Sequence, residues 1–165
     1  MTATGRPWTV LATTGVAVMV LDQLSKITAL RGLGEPIPLL PGLMLRLSFN
    51  TGAAFSMGTS LTPLFTLVAV VVVGGIVVRA PRIATRSWAV AVGLIGGGAA
   101  GNLVDRLVRP PGVARGAVVD FIDVSWFASF NLADAALTGG MALAVLLAWR
   151  EVPLFSRSGT PDVER

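Results

Sequence analysis

The uncharged stretch LTPLFTLVAVVVVGGIVV, residues 61–78, decides the fold class of this 165-residue chain. A helix needs about 20 mostly apolar residues to cross a bilayer core about 30 Å thick. Three further stretches come close to that requirement, at residues 8–30, 87–104 and 132–149. The sequence therefore predicts a membrane α-helical fold with four transmembrane helices.

The composition of the whole chain agrees with this fold class. Apolar residues make up 53% of the chain and charged residues 13%, whereas a soluble domain carries about 25% charged residues. The mean hydropathy is +0.76, and this apolar content excludes a disordered chain. We interpret residues 1–165 as one integral membrane domain. The net charge of +4 bears on orientation in the membrane and does not indicate nucleic-acid binding.

Three absent residue types narrow the possible chemistry, because the chain contains no Cys, no His and no Tyr. Disulfides, thiolate nucleophiles, Ser-His triads and histidine zinc sites are therefore excluded. If the protein is a hydrolase, its proton donors and acceptors have to be Asp, Glu or Lys.

The positive charges predict how the chain is oriented. Four spans place both termini on one side, and the loop between spans two and three carries Arg79, Arg82 and Arg86 without an acid. By the positive-inside rule this loop and both termini are cytoplasmic, so that residues 31–60 and 105–131 face outward. The difference in basic residues between the two sides is small, with seven Lys and Arg residues inside and six outside. No A-x-A site follows the first apolar run, which indicates an uncleaved span.

The outer segments contain strand patterns. Residues 45–50, LRLSFN, alternate between apolar and polar side chains, and residues 117–122, AVVDFI, are rich in β-branched side chains. We expect a small β-element packed on the helix ends, and a flexible polar tail over residues 153–165. The aromatic residues expected at the membrane interface before span four are Trp126, Phe127 and Phe130.

Carboxylates cluster toward the outward ends of the spans, where acids beside apolar segments are costly and usually functional. Asp120 and Asp134 are the pair of greatest interest, because two carboxylates about 3 Å apart share a proton and can activate water and protonate a carbonyl. Two structural alternatives stay open: Asn131 caps span four with Asp134 in its first turn, and Asp120 is a surface strand residue. Asp123 is a less favoured partner, opposite Phe121 or in solvent. The clustered acids are Asp22, Asp105, Asp120, Asp123 and Asp134.

Asp22 and Lys26 lie four residues apart, a spacing that places both on one helix face and predicts a structural ion pair. Ser25 is adjacent to Lys26 and about 100° away around the helix, which disfavours a Ser/Lys hydrolase. Asp105 and Arg106 are either a simple interfacial ion pair or the organisers of a polar site, and Asn102 shares one helix face with Arg106.

Span three repeats glycine at every fourth position, at Gly93, Gly97 and Gly101. This spacing predicts close packing against a neighbouring helix. Gly96 and Gly98 are expected to widen the same flat face.

Five short stretches occur in the order of a known family: DQLSK at 22–26, NTGAAFS at 50–56, GNLVDR at 101–106, VDFI at 119–122 and FNLAD at 130–134. On these motifs the chain resembles lipoprotein signal peptidase, also called signal peptidase II, a family of bacterial aspartic membrane peptidases. The resemblance implies four transmembrane helices with a small extracytoplasmic β-cradle in the cell membrane. It implies removal of signal peptides from prolipoproteins, just before a cysteine carrying a diacylglyceryl group.

The resemblance also implies roles for individual residues, with Asp120 and Asp134 as the catalytic pair. The residues expected to support the pair or bind substrate are Asp22, Lys26, Asn50, Asn102, Asp105, Arg106 and Asn131. No metal or cofactor is implied, the partners are the lipid-modified substrates and membrane lipids, and the protein is expected to act as a monomer. The segment at residues 50–56 is expected to cover the cleft.

Two other function classes stay open on residue chemistry alone. A proton-coupled carrier would explain the intramembrane carboxylates, and a structural subunit would explain the glycine face. Neither accounts for five motifs in order.

Overall fold

The computed structural model describes residues 6–52 and 62–155. Its four α-helices are α1 (Pro7–Gly32), α2 (Thr62–Arg79), α3 (Arg86–Val108) and α4 (Leu132–Trp149). Each helix, α2 together with the short 3₁₀ helix that continues it, is long and apolar enough to cross a membrane. The four-span prediction is confirmed, because the apolar stretches and the helices coincide closely.

Helix α3 is the centre of the bundle and packs against each of the other three helices. The glycine stripe of α3, Gly93, Gly97 and Gly101, lets α1 pack directly against the α3 backbone, as the sequence predicts. A Cβ atom at Gly97 would lie 2.5 Å from the carbonyl oxygen of Gly15, and one at Gly93 would lie 2.8 Å from Cβ of Thr14. Only glycine fits these two positions without moving α1.

The expectation that Gly96 and Gly98 widen this face is wrong for Gly98, whereas Gly96 lines the same groove as Gly93 and Gly97. A Cβ atom at Gly96 would meet Ile76 of α2 at 3.4 Å, whereas one at Gly98 would meet the carbonyl oxygen of Ala133 in α4 at 2.5 Å. Residues two apart on a helix point about 200° away from each other. The glycines of α3 therefore serve three different helix contacts.

Three antiparallel strands form one sheet in the order β1-β2-β3. They are β1 (Ile37–Leu40), β2 (Leu43–Asn50) and β3 (Val118–Val124). The strand patterns at 45–50 and 117–122 correspond to β2 and β3, whereas β1 was not predicted because it contains Pro38. Proline is tolerated there since β1 is an edge strand, and Gly42, with φ +82°, turns the chain into β2.

The sheet lies at one end of the bundle. Strands β1 and β2 follow the end of α1, and β3 connects the end of α3 to the start of α4 while contacting α1 and α3. A short 3₁₀ helix, Ala80–Arg82, joins α2 to α3 at the opposite end. Most of the predicted cleft cover at 50–56 and most of the predicted tail at 153–165 lie outside the described residues.

Candidate active site

Asn131 holds both candidate catalytic carboxyl groups. Its side-chain oxygen accepts a hydrogen bond from the backbone nitrogen of Asp134 at 3.0 Å, and its own backbone nitrogen donates to Oδ2 of Asp134 at 3.2 Å. These two bonds form a capping box at the start of α4. The remaining amide group, Nδ2, donates to Oδ1 of Asp120 at 2.6 Å. The cap predicted for Asp134 is therefore real, and the same residue brings Asp120 to it.

Asp120 is buried, so the alternative of a surface strand residue is wrong. The residue lies on β3 with 2% of its surface exposed, and it also accepts a hydrogen bond from the Asn50 side chain. Burial, followed by the neighbouring charge of Asp134, raises the pKa of the Asp120 carboxyl to about 7. A carboxyl with such a pKa holds a proton for much of the time near neutral pH.

Asp134 faces a cavity of about 660 Å³ beside the sheet. Its Oδ1 accepts a hydrogen bond from Nδ2 of Asn102 at 2.8 Å. Asp120 does not itself line the cavity, although its partner Asn50 does. The lining residues are Asn50, Gly52, Asn102, Arg106, Val118, Phe127, Ala128, Ser129, Phe130, Asp134, Ala135 and Thr138.

Lys26 organises a charged network beneath this site. Its Nζ lies 2.8 Å from Oδ2 of Asp22, which confirms the predicted ion pair, and also 2.8 Å from Oδ2 of Asp105. It donates a third bond to Oδ1 of Asn102 at 3.0 Å. Asp22 in turn accepts a hydrogen bond from the backbone nitrogen of Ala133 at 2.9 Å. The network therefore joins α1, α3 and the first turn of α4.

Asp105 and Arg106 have separate partners, contrary to the simple ion-pair interpretation. Asp105 pairs with Lys26 and with Nε of Arg109 at 2.6 Å. Arg106 lines the cavity, and its Nη2 donates to the carbonyl oxygen of Gly52 at 2.7 Å. Its Nη1 is buried and has no hydrogen-bond partner among the described residues. The polar-site interpretation fits this geometry.

Asp123 is neither in solvent nor a partner of Asp120 and Asp134. It is 5% exposed, and its Oδ2 accepts hydrogen bonds from Nε of Arg46 at 2.8 Å and from Oγ of Ser129 at 3.1 Å. This carboxylate ties β2 and β3 to the segment before α4.

Several cavity residues were not predicted from the sequence. Thr138 lies one helical turn after Asp134, and this four-residue spacing is a signal that could have found it. Gln23 supports the charged network, since its Nε2 donates to the carbonyl oxygen of Gly101 at 3.0 Å and to Oδ1 of Asp105 at 3.3 Å. Phe127 and Phe130, predicted as interfacial aromatic residues, also line the cavity. No local pattern marks Ala128 or Ser129, because they reach the cavity through the fold of the segment after β3.

The fold and this site define a membrane-embedded protein with two linked carboxyl groups beside a cavity. Residues 14–150 match the family described as Signal peptidase (SPase) II. The chain therefore belongs to the signal peptidase II family of aspartic peptidases. This assignment confirms the resemblance and decides against the carrier and structural-subunit alternatives.

Comparisons with individual relatives support the same family assignment. The chain is 44% identical to the lipoprotein signal peptidase of Mycobacterium avium (strain 104) over 140 residues, which are 83% of this chain and 77% of that protein. It is 47% identical to the lipoprotein signal peptidase of Rhodococcus jostii (strain RHA1) over 133 residues, 79% of this chain and 67% of that one. A bacterial membrane enzyme solved by the in meso method at 2.3 Å has a TM-score of 0.74 at 26% identity, covering 93% of this chain and 94% of the other.

Proposed function

We propose that this peptidase cleaves prolipoproteins immediately before a diacylglyceryl-modified cysteine, with Asp120 and Asp134 as its catalytic pair. The observation that carries the proposal is that one residue, Asn131, donates hydrogen bonds to both carboxyl groups. The relatives named lipoprotein signal peptidase support the substrate class.

The two carboxyl groups share one proton and act as a unit. The ionised group takes a proton from water as the water oxygen attacks the scissile carbonyl carbon, and the protonated group gives its proton to the carbonyl oxygen. The resulting diol collapses when the C–N bond breaks: the leaving amine takes a proton from the pair, and a diol hydroxyl returns its proton to the pair as the carbonyl re-forms. One proton remains on the pair, ready for the next cycle, and no metal or cofactor is required.

Neighbouring side chains position the pair and the substrate. Asn102 links Lys26 to Asp134 by hydrogen bonds at both ends of its amide, so the charged network orients one carboxyl group. The free Nη1 of Arg106 at the cavity wall is suited to bind a carbonyl oxygen of the substrate backbone. A buried donor without a partner costs free energy, and a bound peptide would remove that cost.

The proposed orientation places the sheet and the cavity on the outer side of the membrane, with both termini in the cytoplasm. The scissile bond of a membrane-anchored precursor would reach the cavity there while its acyl chains stay in the bilayer. We propose that the protein acts as a monomer.

The test is cleavage of a diacylglyceryl-modified precursor by purified protein, read as a mobility shift on a gel. Asp120→Asn and Asp134→Asn should each lose at least about 1,000-fold in rate, because the pair can no longer hold one proton and one charge. Asp123→Asn is the matched control, since it alters a buried carboxylate on the same strand that binds Arg46 instead. It should retain cleavage within about tenfold.

Two results would contradict the proposal. Normal processing by either variant of the pair would remove Asp120 or Asp134 from catalysis. Equal cleavage of precursor with and without the diacylglyceryl group would contradict the substrate assignment while leaving the catalytic pair intact. Thermal unfolding of each variant in detergent checks that the protein is folded.

A further inference from the structure

A second cavity lies in the membrane-spanning part of the bundle, away from the catalytic pair. It is an apolar groove of about 410 Å³ between α1 and α2, and its floor is formed by Gly93, Gly96, Gly97 and Ala100 of α3. It runs along α1 from Trp8 to Met19. No lining residue carries a charge, so the groove itself offers only dispersion contacts and apolar surface.

The length of the groove matches one leaflet. The 11-residue step from Trp8 to Met19 rises about 16 Å along a helix at 1.5 Å per residue. Half of a bilayer core of about 30 Å is about 15 Å. A transmembrane helix would continue across the other leaflet, where this groove does not extend, whereas an acyl chain ends at the midplane.

The end of the groove at the arginine-rich, proposed cytoplasmic end of the bundle is strongly basic. Ala80 and Pro81 line this end, and they are flanked in the chain by Arg79 and Arg82, both exposed. Arg6, also exposed, precedes the start of α1 and therefore lies at the same end. Glu151, which follows α4, is the acid that the described residues place at this end of the bundle.

This charge discriminates between possible occupants. A signal peptide carries a positively charged n-region before its apolar segment, which the arginines would repel. An anionic phospholipid places its acyl chains in the groove and its phosphate among the arginines, and basic pockets between transmembrane helices bind such headgroups. We propose that the groove between α1 and α2 is a binding site for one anionic diacyl phospholipid.

The test compares phosphatidylglycerol with phosphatidylcholine of identical acyl chains. Each lipid is titrated into the purified full-length protein in detergent, and bound lipid is counted by native mass spectrometry. The wild type should bind phosphatidylglycerol at least about tenfold more tightly, and the preference should weaken with salt because exposed charges are screened.

Two matched pairs of variants locate the site. Arg79→Gln with Arg82→Gln should abolish the preference. Arg31→Gln with Arg115→Gln removes the same charge at exposed positions of the sheet end and should preserve the preference. Ala12→Phe fills the groove and should weaken binding of both lipids, whereas Ala17→Phe, exposed on the same helix but outside the lining, should not. Val77→Phe fills the groove from α2 and serves if Ala12→Phe fails to fold.

Three results would overturn the proposal. These are equal binding of the two lipids by the wild type, equal loss of preference in both double arginine variants, and unchanged binding in both groove-filling variants. Cleavage of the lipid-modified precursor should persist in every variant, since none of these residues lies at the cavity near Asp134. Retained cleavage also shows that each variant is folded.

Discussion

Asn131 combines two tasks in one side chain. Its oxygen caps α4, which satisfies a backbone donor that a helix start leaves unpaired. Its nitrogen binds Asp120, a residue from a different element. The capping and catalytic interpretations of Asp134 are therefore compatible, because the cap is what fixes the carboxyl group beside Asp120.

The raised pKa of Asp120 predicts how stability depends on pH. Its value is about 7 in the folded protein against 3.8 for the free group, so between about pH 4 and pH 7 the folded state holds a proton that the unfolded state has lost. The free energy of unfolding should therefore fall as pH rises through this window, by up to about 4 kcal/mol from a shift of about three units. Unfolding in mixed detergent at several pH values measures it.

The matched variants for this experiment are Asp120→Asn and Glu35→Gln. Asp120→Asn should remove most of the fall in stability, because an amide does not titrate. Glu35 is an exposed carboxyl near the sheet, and its variant should keep the wild-type slope. An unchanged slope in Asp120→Asn would show that the buried carboxyl does not bind the proton.

Within one helix, α3, neighbouring glycines allow close contact with different partner helices. Gly97 admits the backbone of α1 and Gly98 admits that of α4. The four-residue repeat predicts the α1 contact correctly. It says nothing about Gly98, because the position of α4 around α3 depends on how the whole bundle packs.

Gly97→Ala should destabilise the bundle. The added Cβ would lie 2.5 Å from the carbonyl oxygen of Gly15 and 2.8 Å from Cβ of Val18, so α1 has to move, at a cost of about 1–3 kcal/mol. Gly74→Ala is the control, since nothing lies within 4 Å of a Cβ there and alanine is favoured over glycine in a helix by about 0.5–1 kcal/mol. Equal melting temperatures for the two variants would contradict the close α1–α3 contact.

Across the whole molecule, charge is divided unequally between the two ends. The described residues at the sheet end carry six acids and six basic groups, a balance of zero, whereas the opposite end carries five arginines against Glu151, a balance of +4. This asymmetry supports a cytoplasmic location for the arginine-rich end. The outward end then contains Asp120, Asp134 and the sheet.

Cysteine labelling tests this orientation with a single thiol in each variant, because the chain itself has no Cys. Glu35→Cys and Pro153→Cys place single thiols at exposed positions at opposite ends of the molecule. A membrane-impermeant maleimide should label Glu35→Cys in intact cells, and Pro153→Cys only after the cells are lysed. The reverse pattern would place the proposed active site in the cytoplasm.

The sequence by itself determined the four spans, two of the three strands and the Asp22–Lys26 pair, and it predicted the cap on α4 as one of two interpretations of Asp134. These features depend on residues close together in the chain, since a helix in a bilayer satisfies its backbone hydrogen bonds internally and needs only enough apolar side chains. The clustering of acids marked Asp120 and Asp134 as candidates, and the family motifs favoured them over the structural alternatives, without giving a geometry.

Only the tertiary structure decided which distant groups meet. Asp120 reaches Asn131 because β3 returns to the start of α4, and Lys26 reaches Asp105 because α1 packs on the glycines of α3. The edge strand β1 forms by pairing with β2, and Pro38 within it removes the strand pattern from the sequence. These contacts depend on the rotation and docking of whole elements, which no local spacing of residues encodes.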